Sequence, residues 1–191
     1  ARHNGLATGA WLPGTLQLDA TIAQGRATSV ARYLPTTIPH ETRAYLQDAI
    51  QGGELSDVRF KIDGDLWEVP FRKGVPGEFV IRGNVRNAQL DYVPARLLHA
   101  EPGHPAPGWP AFTQLEGELV FDRDAMLIHR ARARLGSVGS GRFEINNVEG
   151  RIDHLGHDAT LVIDGQGKGP LPDALRLVQG TPLNGWTGHA L

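Results

Sequence analysis

Most of this chain alternates apolar and polar residues with a period of two, the pattern of strands that bury one face. Over residues 15–23, Leu16, Leu18, Ala20 and Ile22 point one way, and Thr15, Gln17, Asp19 and Thr21 the other. Gly25 then turns the chain toward a second expected strand over 27–33. Val58, Phe60 and Ile62 alternate with Asp57, Arg59, Lys61 and Asp63, and Gly64-Asp65 has the chemistry of a turn. Trp67, Val69 and Phe71 extend a less regular strand that Pro70 assigns to an edge or a bend. Phe79, Ile81, Gly83 and Val85 oppose Glu78, Arg82, Asn84 and Arg86, and Ala88, Leu90 and Tyr92 resume after a bulge or turn at Asn87.

Leu115, Gly117, Leu119 and Phe121 oppose Gln114, Glu116 and Glu118, and an Asp122-Arg123-Asp124 turn leads into a long strand over 125–135. There Met126 and Ile128 share parity with Arg130, Arg132 and Arg134, so a register shift or an exit from the apolar surface is expected near His129. A glycine-rich crossing, GSVGSG, precedes Phe143, Ile145, Val148 and Ile152. Ala159, Leu161 and Ile163 then alternate with Thr160, Val162 and Asp164.

Two stretches break this rhythm with helical spacing. Residues 33–53 carry the clearer one: Ala44, Tyr45, Leu46, Ala49 and Ile50 form a stripe opposite Glu41, Arg43 and Asp48. Thr36 or Thr37 supplies a capping oxygen, Pro39 suits a first turn, and Gly52-Gly53 ends the helix. A second short helix is expected over 172–179, with Ala174, Leu175 and Val178 apolar. Residues 94–110 are too rich in Pro and Gly for regular structure.

The expected fold is therefore mainly β with a minor helical part: a curved antiparallel sheet, one face apolar, with two short helices packed on it. Two helices of about three turns cannot roof such a sheet. Either it closes on itself into a sandwich or barrel with a dry core, or it stays an open groove. An acyl chain in an open groove would gain ~0.8 kcal/mol for each buried methylene.

Composition narrows the choices. A net charge of −2 gives no electrostatic footprint for nucleic acid. The 24 Gly and 13 Pro suit tight turns between strands. No cysteine is present, which removes disulfides and thiolate metal sites without fixing a compartment. No apolar run is long enough to span a bilayer. The ends of the 191-residue chain have the form of a single β-rich segment, 1–191, cut from a longer protein.

The order of several short motifs is also informative. YLP at 33–35, YLQDAIQGG at 45–53, VPF at 69–71, GEFVIRG at 77–83 and LDY at 90–92 come first. WP at 109–110, LEGELVFDRDAMLI at 115–128 and TPL at 181–183 follow. In this order the chain resembles the central region of the AsmA-like, YhdP-type envelope proteins of Gram-negative bacteria. The resemblance implies a long periplasmic protein anchored in the inner membrane outside this segment. It also implies a repeated β unit whose groove carries phospholipid toward the outer membrane and supports its barrier. Neighbouring repeats of the same chain would be its partners; no cofactor and no catalytic residue is implied.

Together with the alternating faces, this nominates Leu16, Leu18, Ile22, Val58, Phe60, Ile62, Phe79, Ile81, Leu115, Leu119 and Phe121 as groove lining. Arg130, Arg132 and Arg134 are candidates for a rim where phosphate head groups sit. The competing expectations are a closed structural or protein-binding module, and a sugar-binding sandwich that stacks ligands on Trp67 and Trp109.

Other chemistry is weakly supported. His154 and His157 lack an evident third zinc ligand unless His104 or His129 is recruited. GQGKGP at 165–170 matches no phosphate-loop spacing and reads as a glycine-rich turn. Asp122 and Asp124 have the form of a solvated hairpin tip rather than of a glycosidase pair. No serine lies in a GxSxG setting.

Overall fold

A computed structural model describes residues 14–33, 40–94, 109–136, 143–155 and 159–181. They form one seven-stranded antiparallel sheet in which every strand lies beside the next in sequence. The strands are β1 (Thr15–Arg26), β2 (Ile50–Asp65), β3 (Glu78–Leu90), β4 (Phe112–Asp122), β5 (Ala125–Leu135), β6 (Glu144–Ile152) and β7 (Val162–Lys168). Within the described residues β1 and β7 are free edges, so the sheet is neither a barrel nor half of a sandwich. It is open.

Three short helices accompany it: α1 (Val30–Tyr33), α2 (His40–Ala49) and α3 (Leu171–Gln179). α1 and α2 pack together at the end where β1 finishes and β2 begins, here called the helix end, and α3 follows β7 at the same end of the strands but on the opposite edge of the sheet. Arg43 on α2 donates to the Ala31 carbonyl at 2.9 Å, and the Tyr45 hydroxyl donates to the Tyr92 carbonyl at 2.9 Å. Ala49 is fully buried there, and its carbonyl accepts from the Asp91 amide at 2.8 Å. Burial, with Asp91 nearby, pushes the Tyr45 phenol above its ordinary pKa. At the opposite, loop end, residues 66–77 join β2 to β3 around a buried Phe71.

Several expected boundaries move. Residues 27–33 are a 3-10 turn and α1, not a strand. Ala27 and Ala31, four apart and both buried, supply the helical contact that a seven-residue alternation hid. The 33–53 helix shrinks to α2, because Ile50 to Gly53 join β2. Its expected caps at Thr36, Thr37 and Pro39 lie outside the described residues. Gly64-Asp65 is the end of β2 and not a turn, while Trp67 to Phe71 form a 3-10 turn and bend. GQGKGP is largely strand: Gly165, Gln166, Gly167 and Lys168 belong to β7. The GSVGSG crossing after Gly136 and most of the 94–110 loop lie outside the described residues.

The strands are also longer than the alternation suggested, up to 16 residues in β2, or ~50 Å at ~3.3 Å per residue. Each interior strand is interrupted by one non-glycine residue in the left-handed region: Asp57, Asn87, Gln114, Arg130 and Asn147, with φ between 45° and 53°. The pairing register slips beside each of them. These are β-bulges, which bend a strand and strengthen its twist. Their chemistry is apt at three of the five, since Asp and Asn tolerate this backbone better than most residues.

Candidate functional site: the apolar sheet face

The bulges keep one face apolar. Each slip in register restores the parity that strict alternation would lose. Read across the ladder, Ala20, Phe60, Ile81, Phe121, Met126 and Ile152 form one row over six strands. Beside it run Gly83, Leu119, Ile128, Gly150 and Ile163. On the far side of the bulges, Gly25, Leu55, Val85 and Gly117 are paired in turn, and Ala131 pairs with Val148. Near the helix end, Ile50, Leu90, Phe112 and Leu135 close the surface. None of these rows contains a charged residue.

All eleven nominated lining residues belong to this face. Phe60, Ile81 and Phe121 stand in the central row, and Leu18, Ile62 and Phe79 form the next row toward the loop end. Leu16 lies opposite Gly64, Ile22 opposite Val58, and Leu115 opposite Ala88. Burial varies with position. Val58 and Phe79 are buried, whereas Leu18 and Ile22 on edge strand β1 are each 37% exposed. On the other edge strand Ile163 is 57% exposed, beyond what the sequence nominations covered. The alternation over 159–164 already places Ile163 on an apolar strand face, although it is not among the nominated residues.

The arginine row is on the opposite face. The bulge at Arg130 sends Ala131, Ala133 and Leu135 to the apolar side, where each is buried. Arg130 binds Glu118 at 3.0 Å, Arg132 binds Glu116 at 2.6 Å and Arg134 binds Glu144 at 3.1 Å. All three guanidinium side chains are at least half exposed, so each pair contributes little stability, roughly 0–1 kcal/mol. This polar face is not wholly polar. Val120, flanked by Arg82 and Leu127, is buried there.

One carboxylate holds the β5 bulge. Glu149 on β6 accepts from the Arg130 amide at 2.8 Å with one oxygen and contacts His129 Nδ1 at 2.8 Å with the other. The amide bond first, and His129 second, keep its carboxyl below the usual glutamate range. Its folded pKa therefore lies below its unfolded one. The stabilisation is complete at neutral pH and disappears as pH falls through the depressed value, because the unfolded chain takes up the proton first. Urea unfolding should show Glu149→Gln less stable than the parent at about pH 7, with the gap closing as the pH falls below the ordinary glutamate range. A gap independent of pH would contradict this role.

The other chemical candidates do not assemble. Trp67 is exposed at the loop end, and Trp109 packs edge-on against Tyr92 at 5.5 Å near the helix end, so the two share no stacking platform. Asp124 is engaged by His154 Nδ1 at 3.1 Å. His104 and His157 lie outside the described residues, and among those described no three His, Asp or Glu side chains converge as a metal site.

Comparison with known proteins identifies relatives of this chain. The model of the YhdP protein family matches residues 2–191. The intermembrane phospholipid transporter YhdP of Escherichia coli (strain K12) is 27% identical over 177 residues. That alignment takes in 92% of this chain but 12% of the relative, so the chain spans about an eighth of that protein's length. No solved structure matches. The chain belongs to the YhdP protein family.

Proposed function

We propose that this chain is one segment of a periplasmic conduit, its apolar sheet face holding phospholipid acyl chains in transit between inner and outer membranes. It does no covalent chemistry. The observation that carries this reading is the uncharged row from Ala20 to Ile152, continued on both edge strands by partly exposed Leu18, Ile22 and Ile163. A dry core would cover such residues with a second layer, and the described helices stand at one end of the strands instead. About ten buried methylenes would gain ~8 kcal/mol before the cost of ordering the chain. That is ample for capture without a deep pocket.

The edge strands, each with one unpaired side among the described residues, are where neighbouring units of the same protein would attach. No described helix is long and apolar enough to cross a membrane, so an anchor in the inner membrane would belong to another part of the protein.

Site-directed photocrosslinking tests the reading. A photoreactive residue at Phe60 should capture phospholipid from bacterial lipid extract, detected by mass spectrometry, while one at Thr21 on the polar face should not. Equal labelling from both positions, or none from Phe60, would refute it.

A further inference from the structure

We propose that the polar face of β2 and β3 docks an extended acidic segment of a partner protein, its carboxylates taken by the Arg59–Arg82 pair and by Arg86. The acyl-chain reading concerns the opposite face, so neither depends on the other. Arg59 and Arg82 stand directly opposite each other on adjacent strands. Cα atoms so paired are ~5 Å apart, and like charges in that position repel. Three rows of the ladder carry the patch. Toward the helix end from Arg59 and Arg82 comes an uncharged row, Gln24, Ser56 and Asn84, and then Arg26, Glu54 and Arg86. Arg82 and Arg86 share one face of β3 four residues apart, which sets their charges ~13 Å apart along the strand at ~3.3 Å per residue.

The nearby carboxylates are engaged elsewhere. On β4, next to β3, Glu118 is drawn to Arg130 at 3.0 Å and Glu116 to Arg132 at 2.6 Å, both on β5. Glu78 holds Lys61 at 2.8 Å, and Asp57 accepts from the Asn84 side-chain amide at 3.4 Å. Arg59, Arg82 and Arg86 are exposed and have no ion-pair partner among the described residues. Glu54 lies between Arg26 and Arg86 and can answer only one of them. A repelling pair without an internal counter-charge is stabilised by an anion from outside. A guanidinium takes a carboxylate through two parallel hydrogen bonds, and Arg59 and Arg82 together can clamp one. The surface of two paired strands suits an extended segment lying along them, and the Gln24 and Asn84 amides between the charged rows can meet its backbone. Glu54 and Asp57 interleave with the arginines, so a dense array of phosphates meets repulsion that a peptide with spaced carboxylates avoids.

Fluorescence anisotropy with the whole chain tests this, using a labelled nine-residue peptide of serine and threonine that carries glutamate at its third and seventh positions. In an extended peptide those side chains share one side and stand ~13 Å apart. The parent should bind it, more weakly as salt rises from about 0.05 to about 0.5 M, and should not bind the peptide with glutamine at both positions. Arg59→Gln, Arg82→Gln and Arg86→Gln should each weaken binding about three- to fivefold. Arg134→Gln, which removes the same charge from an arginine already held by Glu144, should leave it unchanged. Arg82→Gln should also keep or raise the urea midpoint, because it relieves a repulsion. No preference for the glutamate peptide, or an equal loss in Arg134→Gln, overturns the proposal. So does a lower midpoint for Arg82→Gln, which would show that guanidinium already engaged within the fold. Vesicles of phosphatidylglycerol bound in place of the peptide would make the patch a lipid-facing surface and overturn it too.

Discussion

Phe71→Ala should lower the unfolding free energy by about 3–5 kcal/mol, the range for deleting a fully buried aromatic ring. Phe71 is the one large side chain among the described residues with no exposed surface. Its ring fills the space beside Gly64 and Gly77, so closely that a Cβ built on Gly64 would lie 2.7 Å from it. The three hydrogen bonds from Arg123 hold the surrounding loop rigid, so neighbouring atoms cannot collapse into the gap. The measurement is the urea midpoint at constant slope. A shift worth less than about 1 kcal/mol would show that the loop end is not a packed part of the fold.

Ile81→Glu should weaken phospholipid binding tenfold or more, while Arg82→Glu leaves it unchanged. The two positions are adjacent in sequence and point to opposite sides of β3. Ile81 sits in the middle of the row that runs from Ala20 to Ile152. A carboxylate there must either lose water beneath an acyl chain or push the chain away, and a loss of about 1.4 kcal/mol already corresponds to tenfold. Arg82 pairs with Arg59 and Val120 on the polar side, so reversing its charge alters a surface that the lipid never meets. Circular dichroism would establish that both variants keep the sheet. Equal binding by the two would remove the apolar face from the mechanism.

Much of the fold was legible because period-two alternation is a direct imprint of a half-buried sheet. The strand cores around Leu18, Phe60, Ile81 and Leu119 were read with the correct facing. So was the helix over 172–179, seen as α3. Bulges defeated the rest. On β5 strict parity groups Met126 and Ile128 with the arginines, and only the extra residue at Arg130 separates them. The sequence hinted at a shift near His129 but held no signal for its direction. Glycine misled in another way on β7. Gly165 and Gly167 resemble turn residues, yet a Cβ on either would press against Val148 or Phe143 at 3.0 Å. They are glycines because large side chains of the neighbouring strand already fill that space. Candidate lining residues on β1 to β4 could be named from alternation, and the alternation over 159–164 put Ile163 on an apolar strand face as well.

The strictly sequential strand order has a consequence for how the molecule comes into being. Each strand needs only its predecessor as a template, so the structure can grow like a zipper, one hairpin at a time. A chain emerging from its N-terminus would never wait for a distant partner, and the unpaired edge at any moment would be the landing place for the strand that comes next.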